Sequence, residues 1–206
     1  MNLNIRRFWR IILTVALLML GIGIVTDPSD LKHYTHQMNK LMAEGRYQEA
    51  LEVGNESDKT NTELLQLRIE ALAHEHQLGE RLFHYPVIGK SGNMAKRGGD
   101  EELCAYLIDK QLDRFVAALP QYYSSLDNLP RYYREALVLY NHLRSHPTII
   151  YHDAVLDTDY RDMQQLERKY KDKAARHVAV FQQYEYTYWY YYGYLNQTPK
   201  ALLMLP

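Results

Sequence analysis

The sequence predicts an all-α protein, an apolar N-terminal segment followed by a domain of short packed helices. Apolar residues beyond position 28 recur at three- and four-residue spacing, capping and breaking residues bound these stretches, and the pattern overlays on itself after 31 and again after 34 residues. The 206 residues carry 24 Lys and Arg against 25 Asp and Glu, so the net charge of −1 gives no general attraction for nucleic acid. A single cysteine, Cys104, excludes an intramolecular disulfide and leaves packing to hold the domain together. Flanked by Leu103 and Tyr106 on an apolar stripe, it reads as a buried, inert thiol.

Arg6, Arg7 and Arg10 precede a run free of charge from Ile11 to Val25. With Phe8 and Trp9 counted and Arg10 snorkelling, this segment just reaches across the ~30 Å of a hydrocarbon core. Basic residues before the run, and Asp27 and Asp30 after it, orient the first residues to the cytoplasm. Residues 1–27 are expected to form a cytoplasmic stub and membrane anchor, and residues 28–206 an external domain. A cleaved signal peptide is the alternative, with Gly21 and Gly23 as a weak cleavage site, although Ala-x-Ala is missing.

Pro28 suits the first turn of a helix that runs to about Ala43, with Leu31, Tyr34, Met38, Leu41 and Met42 on one face. Glu44-Gly45 closes it, and Tyr47, Ala50, Leu51 and Gly54 define a shorter partner, which makes a helical hairpin. Shifting the chain by 31 places Tyr34, Met38, Leu41, Tyr47 and Leu51 over Leu65, Ile69, Leu72, Leu78 and Leu82. A further shift of 34 reaches Leu103, Tyr106, Leu112 and Val116, with turns expected near His76 and Lys110. Three such units are the signature of stacked helical repeats.

The stretch from Ala43 to Leu51 resembles the central turn of a tetratricopeptide repeat, with Gly45, Tyr47 and Ala50 in the places that govern packing of the two helices. The later units depart from that pattern, since Arg81 and then Phe115 stand where the small Ala50 stood. Residues 28 to about 120 therefore read as degenerate tetratricopeptide-like hairpins. The whole chain also resembles an uncharacterised family of membrane-anchored helical-repeat proteins of Bacteroidota-type bacteria. The strings that carry this are Leu78 to Pro86, Tyr132 to Leu137, and the tyrosine-rich tail. The resemblance implies an envelope location, single-pass in the inner membrane with a periplasmic domain, and no known reaction.

Gly89, Gly92, Gly98 and Gly99, with Lys90, Lys96 and Arg97, mark a surface loop between Pro86 and Gly99. Asp100 caps the third unit, and Pro130 starts a helix to about residue 145 that His146-Pro147 ends. Thr148 to Val155 suit an extended piece, and a helix resumes from Asp157 through Tyr160, Met163, Leu166 and Tyr170. The preferred end is one long helix from about Lys173 to Leu195, packed through Val178, Phe181, Tyr188 and Tyr192. The alternation of Tyr184, Tyr186, Tyr188, Tyr190, Tyr192 and Tyr194 keeps a strand open.

Reactive constellations are sparse. Gly89-Lys90-Ser91 lacks the glycine that a phosphate-binding loop needs at position 84, which is His84. His142 and His146 are four apart, as a helical metal pair requires, but no third ligand is marked. No catalytic residue, metal or cofactor is assigned, and enzymatic function has no positive support. Adjacent tyrosines at 122 and 123, and at 132 and 133, are expected to pack one ring of each pair and expose the other.

The tail holds Trp189 and seven tyrosines between Tyr184 and Tyr194, which either seal the last helices or recognise a ligand. Tyr186, Trp189 and Tyr190 fall off the core-facing stripe and are the partner-contact candidates. The leading functional expectation is a non-enzymatic, membrane-anchored scaffold that holds another envelope protein on its helical-repeat surface. A glycan- or peptidoglycan-binding module built on the aromatic tail is the alternative.

Overall fold

The computed structural model describes residues 28–195, so the expected anchor lies outside the described residues. Among those described, no helix is long and apolar enough to cross a membrane, and there is no strand. Helix α1, Pro28–Ala43, is followed by α2, Tyr47–Glu52, and α3, Thr62–His74. Asn61 caps α3 by accepting the Leu64 N–H at 2.7 Å. Next come α4, Leu78–Arg81, which runs into a 3₁₀ turn, Leu82–His84, then α5, Gly99–Ile108, and α6, Leu112–Tyr122.

The first three hairpins share one turn. At Gly45, His76 and Lys110 the backbone enters the left-handed region with φ of 71°, 54° and 57°. Each time the amide of that residue donates to the carbonyl three back, at 3.0, 3.2 and 3.1 Å. The next amide reaches the carbonyl five back, at 2.9, 2.8 and 2.8 Å. This paired arrangement satisfies carbonyls that the end of a helix would otherwise leave without donors. The turns recur at the spacing of 31 and then 34 at which the apolar pattern repeats. All the apolar residues aligned by that pattern, from Tyr34 to Val116, are buried or packed against the core. At the second junction Gly79 is required by space, because a Cβ there would lie 2.6 Å from Pro130 and 2.9 Å from the Tyr133 ring.

Helix α7, Arg131–Leu143, is the axis of the second half. It packs against α4 and α6 on one side, and on the other against α8, Ala154–Lys169, and α10, Tyr188–Tyr194. Enclosed in this way, it buries Tyr132, Tyr133 and every residue from Glu135 to Tyr140. The expectation that one of Tyr132 and Tyr133 would be exposed is corrected for that reason. It holds for the other pair, where Tyr122 is exposed and Tyr123 packs against the core.

Three further expectations change. Helix α8 starts at Ala154, before Asp157, because the Asp153 carboxylate accepts the Val155 and Leu156 amides, both at 3.1 Å. The piece expected to be extended, 148–155, folds back on α7, where the Tyr151 amide meets the Asn141 side chain at 3.5 Å. The tail is two helices, α9, Lys173–Tyr184, and α10, Tyr188–Tyr194. Thr187 makes the break, its hydroxyl donating to the Tyr184 carbonyl at 2.7 Å and accepting the Tyr190 amide at 3.1 Å. A threonine in this role ends one helix and caps the next.

Candidate functional site

The break at Thr187 decides where the candidate contact residues go. With α10 turned relative to α9, Trp189 and Tyr190 point inward and are each 2% exposed, whereas Tyr186, in the connection, is 46% exposed. Trp189 and Tyr190 therefore do not offer the free rings expected of them, because the expectation assumed one unbroken helical period. Of the residues expected to pack the tail, Tyr188 is fully buried, and Phe181 and Tyr192 pack partly buried against the core.

A network of long-range hydrogen bonds holds α10 in place. The Glu135 carboxylate, on the buried axis helix, accepts the Tyr188 amide at 2.6 Å and pairs with Arg131 at 2.8 Å. The carbonyl of the same residue accepts the Trp189 indole N–H at 2.7 Å. Burial pushes the Glu135 carboxyl above the usual range, against the pull of Arg131 and of the Tyr188 amide. From the other side of α10, the Tyr188 and Tyr191 hydroxyls donate to the Leu107 and Ile108 carbonyls at 3.3 and 2.7 Å. Both carbonyls lie in the last turn of α5, where Leu107 already accepts the Lys110 amide, so the tyrosines add a second donor to Leu107 and supply one to Ile108. The Lys110 ammonium donates to the Tyr192 carbonyl at 2.7 Å. His177 and the Tyr190 hydroxyl are 2.8 Å apart.

A second node forms around Asp100, whose carboxylate accepts the Tyr123 and Tyr133 hydroxyls at 2.7 and 2.9 Å. The Tyr133 oxygen is also 3.5 Å from the Cys104 sulfur. Cys104 is completely buried and its thiol is pushed up to about 12, which suits the inert role expected of it. Nearer the N-terminus, Arg68 is 1% exposed, lies 4.9 Å over the Tyr85 ring and donates to the Gly54 carbonyl at 2.9 Å. The Tyr85 hydroxyl donates to the Leu51 carbonyl at 3.0 Å. Together these two donors tie the end of the first hairpin to the second.

The residues expected to pack the first hairpin occupy three different settings. Gly45 makes the left-handed turn, Tyr47 stacks on His74 with ring centres 4.1 Å apart, and Ala50 is fully buried between the helices. Arg81, at the place equivalent to Ala50 in the second unit, stays half-buried and bonds Tyr85 at 3.1 Å. Phe115, at that place in the third, is fully buried against Tyr133. His142 and His146 do not share a helix face, because α7 ends at Leu143, and His142 instead lies 3.7 Å from Asp157. Among the described residues no group of three or more His, Cys, Asp or Glu is placed to hold a metal ion.

One exposed aromatic contact joins the second hairpin to the tail. The rings of His84, after α4, and Tyr186, between α9 and α10, lie 4.7 Å apart at 35°. Arg81, Arg131, Glu52 and Glu185 surround His84 closely enough to act on its charge, while partial burial is the largest influence and lowers its pKa. Sequence reasoning found Tyr186 and missed His84, which lies about 100 residues away and carries no local mark. Glu135 was missed too, although a lone carboxylate inside Tyr132-Tyr133-Arg134-Glu135-Ala136-Leu137 is a readable signal of a buried polar partner.

Residues 100–195, which begin in the first turn of α5 and end just after α10, match the model of a protein family described as "Family of unknown function (DUF6057)". No curated protein and no solved structure matches the chain. Over these residues the chain is similar to that family, and the span takes in both the Asp100 node and the Glu135 network.

Proposed function

We propose that this protein is a non-enzymatic scaffold, anchored in a bacterial inner membrane by its first 27 residues, whose periplasmic helical hairpins hold another envelope protein. The tetratricopeptide-like reading of the first units is part of the proposal, supported by one turn geometry used three times. Stacked units of this kind present extended surfaces, because each adds a small rotation to the last.

The observation that carries the reading is the exposed His84–Tyr186 pair, with the charges of Arg81, Arg131, Glu52 and Glu185 near enough to act on His84. An aromatic centre with arginines and a charged rim is the composition that protein contact surfaces favour. Glu135 and Asp100 each join two or more helices through buried hydrogen bonds, which suits a rigid support. Glycan recognition by the tail loses two of its three rings, since Trp189 and Tyr190 are buried.

Capture with the double variant His84→Ala, Tyr186→Ala tests the proposal. Crosslinking in the native cell with wild-type protein should recover a defined partner, and the double variant should recover it at least tenfold less while melting at the same temperature. Equal recovery by the two proteins would reject this surface as the contact.

A further inference from the structure

A concavity of about 360 Å3 opens where the third hairpin turn meets the end of the axis helix, lined by Lys110, Gln111, Leu112, Asp113, Arg114 and Arg144. Three cations face one carboxylate there, a surplus of two positive charges in a chain whose net charge is −1. Asp113 is already taken, because Arg144 grips both of its oxygens, at 3.1 and 2.7 Å. Arg114 bonds the Gln111 side-chain oxygen at 3.1 Å and lies 6.0 Å over the Tyr106 ring centre, with no carboxylate paired to it among the described residues.

Lys110 is the unusual member. It adopts φ of 57° at the place where the first hairpin uses Gly45, a conformation unfavourable for a residue with a side chain. His76 fills the equivalent place in the second hairpin with its ring exposed, whereas the Lys110 side chain is partly buried against α10. Its ammonium spends one N–H on the Tyr192 carbonyl and lies 5.1 and 5.6 Å from the Tyr191 and Tyr192 ring centres. No carboxylate offsets it among the described residues, and burial alone acts on its pKa, pulling it down. The three cations lining one groove, with Asp113 engaged by Arg144 alone, point to an anionic ligand that supplies the missing charge.

We infer that this groove binds a phosphate monoester. Such a group carries about −1.5 to −2 charges at pH 7 and matches the surplus, where a carboxylate would leave one cation unmet. Lys110, Arg114 and Arg144 line the groove together and supply its positive charge. The group is presented either by a soluble phosphorylated compound or by a lipid headgroup. This site is separate from the His84–Tyr186 surface, and neither proposal depends on the other.

The test uses the full-length protein in phosphatidylcholine nanodiscs, with unfolding followed by circular dichroism at constant ionic strength. Glycerol 3-phosphate, titrated to about tenfold its Kd, should raise the melting temperature by roughly 3–6 °C. Lys110→Gly restores the residue used in the first hairpin and should abolish the rise. Arg114→Gln, at an exposed position, should reduce it and serves as a second reading should Lys110→Gly fail to fold. A rise seen only when phosphatidic acid is mixed into the nanodisc, and lost in the variants, assigns the phosphate to a lipid. No rise with either probe, or the same rise in wild type and both variants, would overturn the inference.

Discussion

The first hairpin buries Met38, Ala50 and Leu51, the tail buries Tyr188, Trp189, Tyr190 and Tyr191, and the two do so by different means. In the hairpin the fate of each residue is decided within a few positions. Gly45 turns the chain, the amides of Gly45 and Arg46 close onto Met42 and Leu41, and Ala50 then faces its neighbours. In the tail the decisive partners are remote, since Glu135 receives the Tyr188 amide and the Trp189 indole from 53 and 54 residues away. Local spacing therefore suffices to read the hairpin and fails for the tail.

The largest expected effect breaks the hairpin. Ala50→Glu places an unpaired charge in a fully enclosed position, at a cost of about 4 kcal/mol or more, and chemical denaturation should find the isolated segment 28–206 largely unfolded. Next is Trp189→Ala in the tail, which removes a packed ring and its indole bond to the Glu135 carbonyl, for roughly 3–5 kcal/mol. The same measurement on Phe181→Ala should show a smaller loss, reversing the order that an unbroken tail helix implies, because Phe181 is only partly buried.

The comparison sharpens at Glu135. Its folded-state pKa is raised, so the folded protein holds this proton more tightly than the unfolded chain does. Stability from this group is then lost as pH rises from the ordinary glutamate value through the raised one. Glu135→Gln removes that titration, and its stability relative to wild type should improve across this window. A pH-independent difference between the two proteins would show that burial does not act on this carboxyl.

Smaller still is Gly45→Ala, which forces a side chain into the left-handed region for about 1–2 kcal/mol, although open space surrounds the site. Tyr186→Ala, at an exposed position, should shift stability by no more than about 0.5 kcal/mol.

These differences also explain what could be read from the sequence. The all-helical class, the first helix from Pro28 to Ala43 and the turns at His76 and Lys110 follow from periodicity and capping, which act over one or two turns of helix. Trp189 and Tyr190 were misplaced because Thr187, an ordinary residue inside a helical period, breaks the helix as a cap, while the remote Glu135 takes the Tyr188 amide. Of the candidate site, Tyr186 was legible as a residue off the stripe. His84 was not, since a lone histidine gives no sign of the ring that will lie against it.

A photo-crosslinking amino acid placed in turn at positions 186 and 189 of the full-length protein, in its native cell, tests the central claim most directly. Position 186 should give an adduct with a second protein, and position 189, enclosed against Glu135 and Tyr160, should give none. An adduct to a second protein from position 189, or its absence from position 186, would contradict the account.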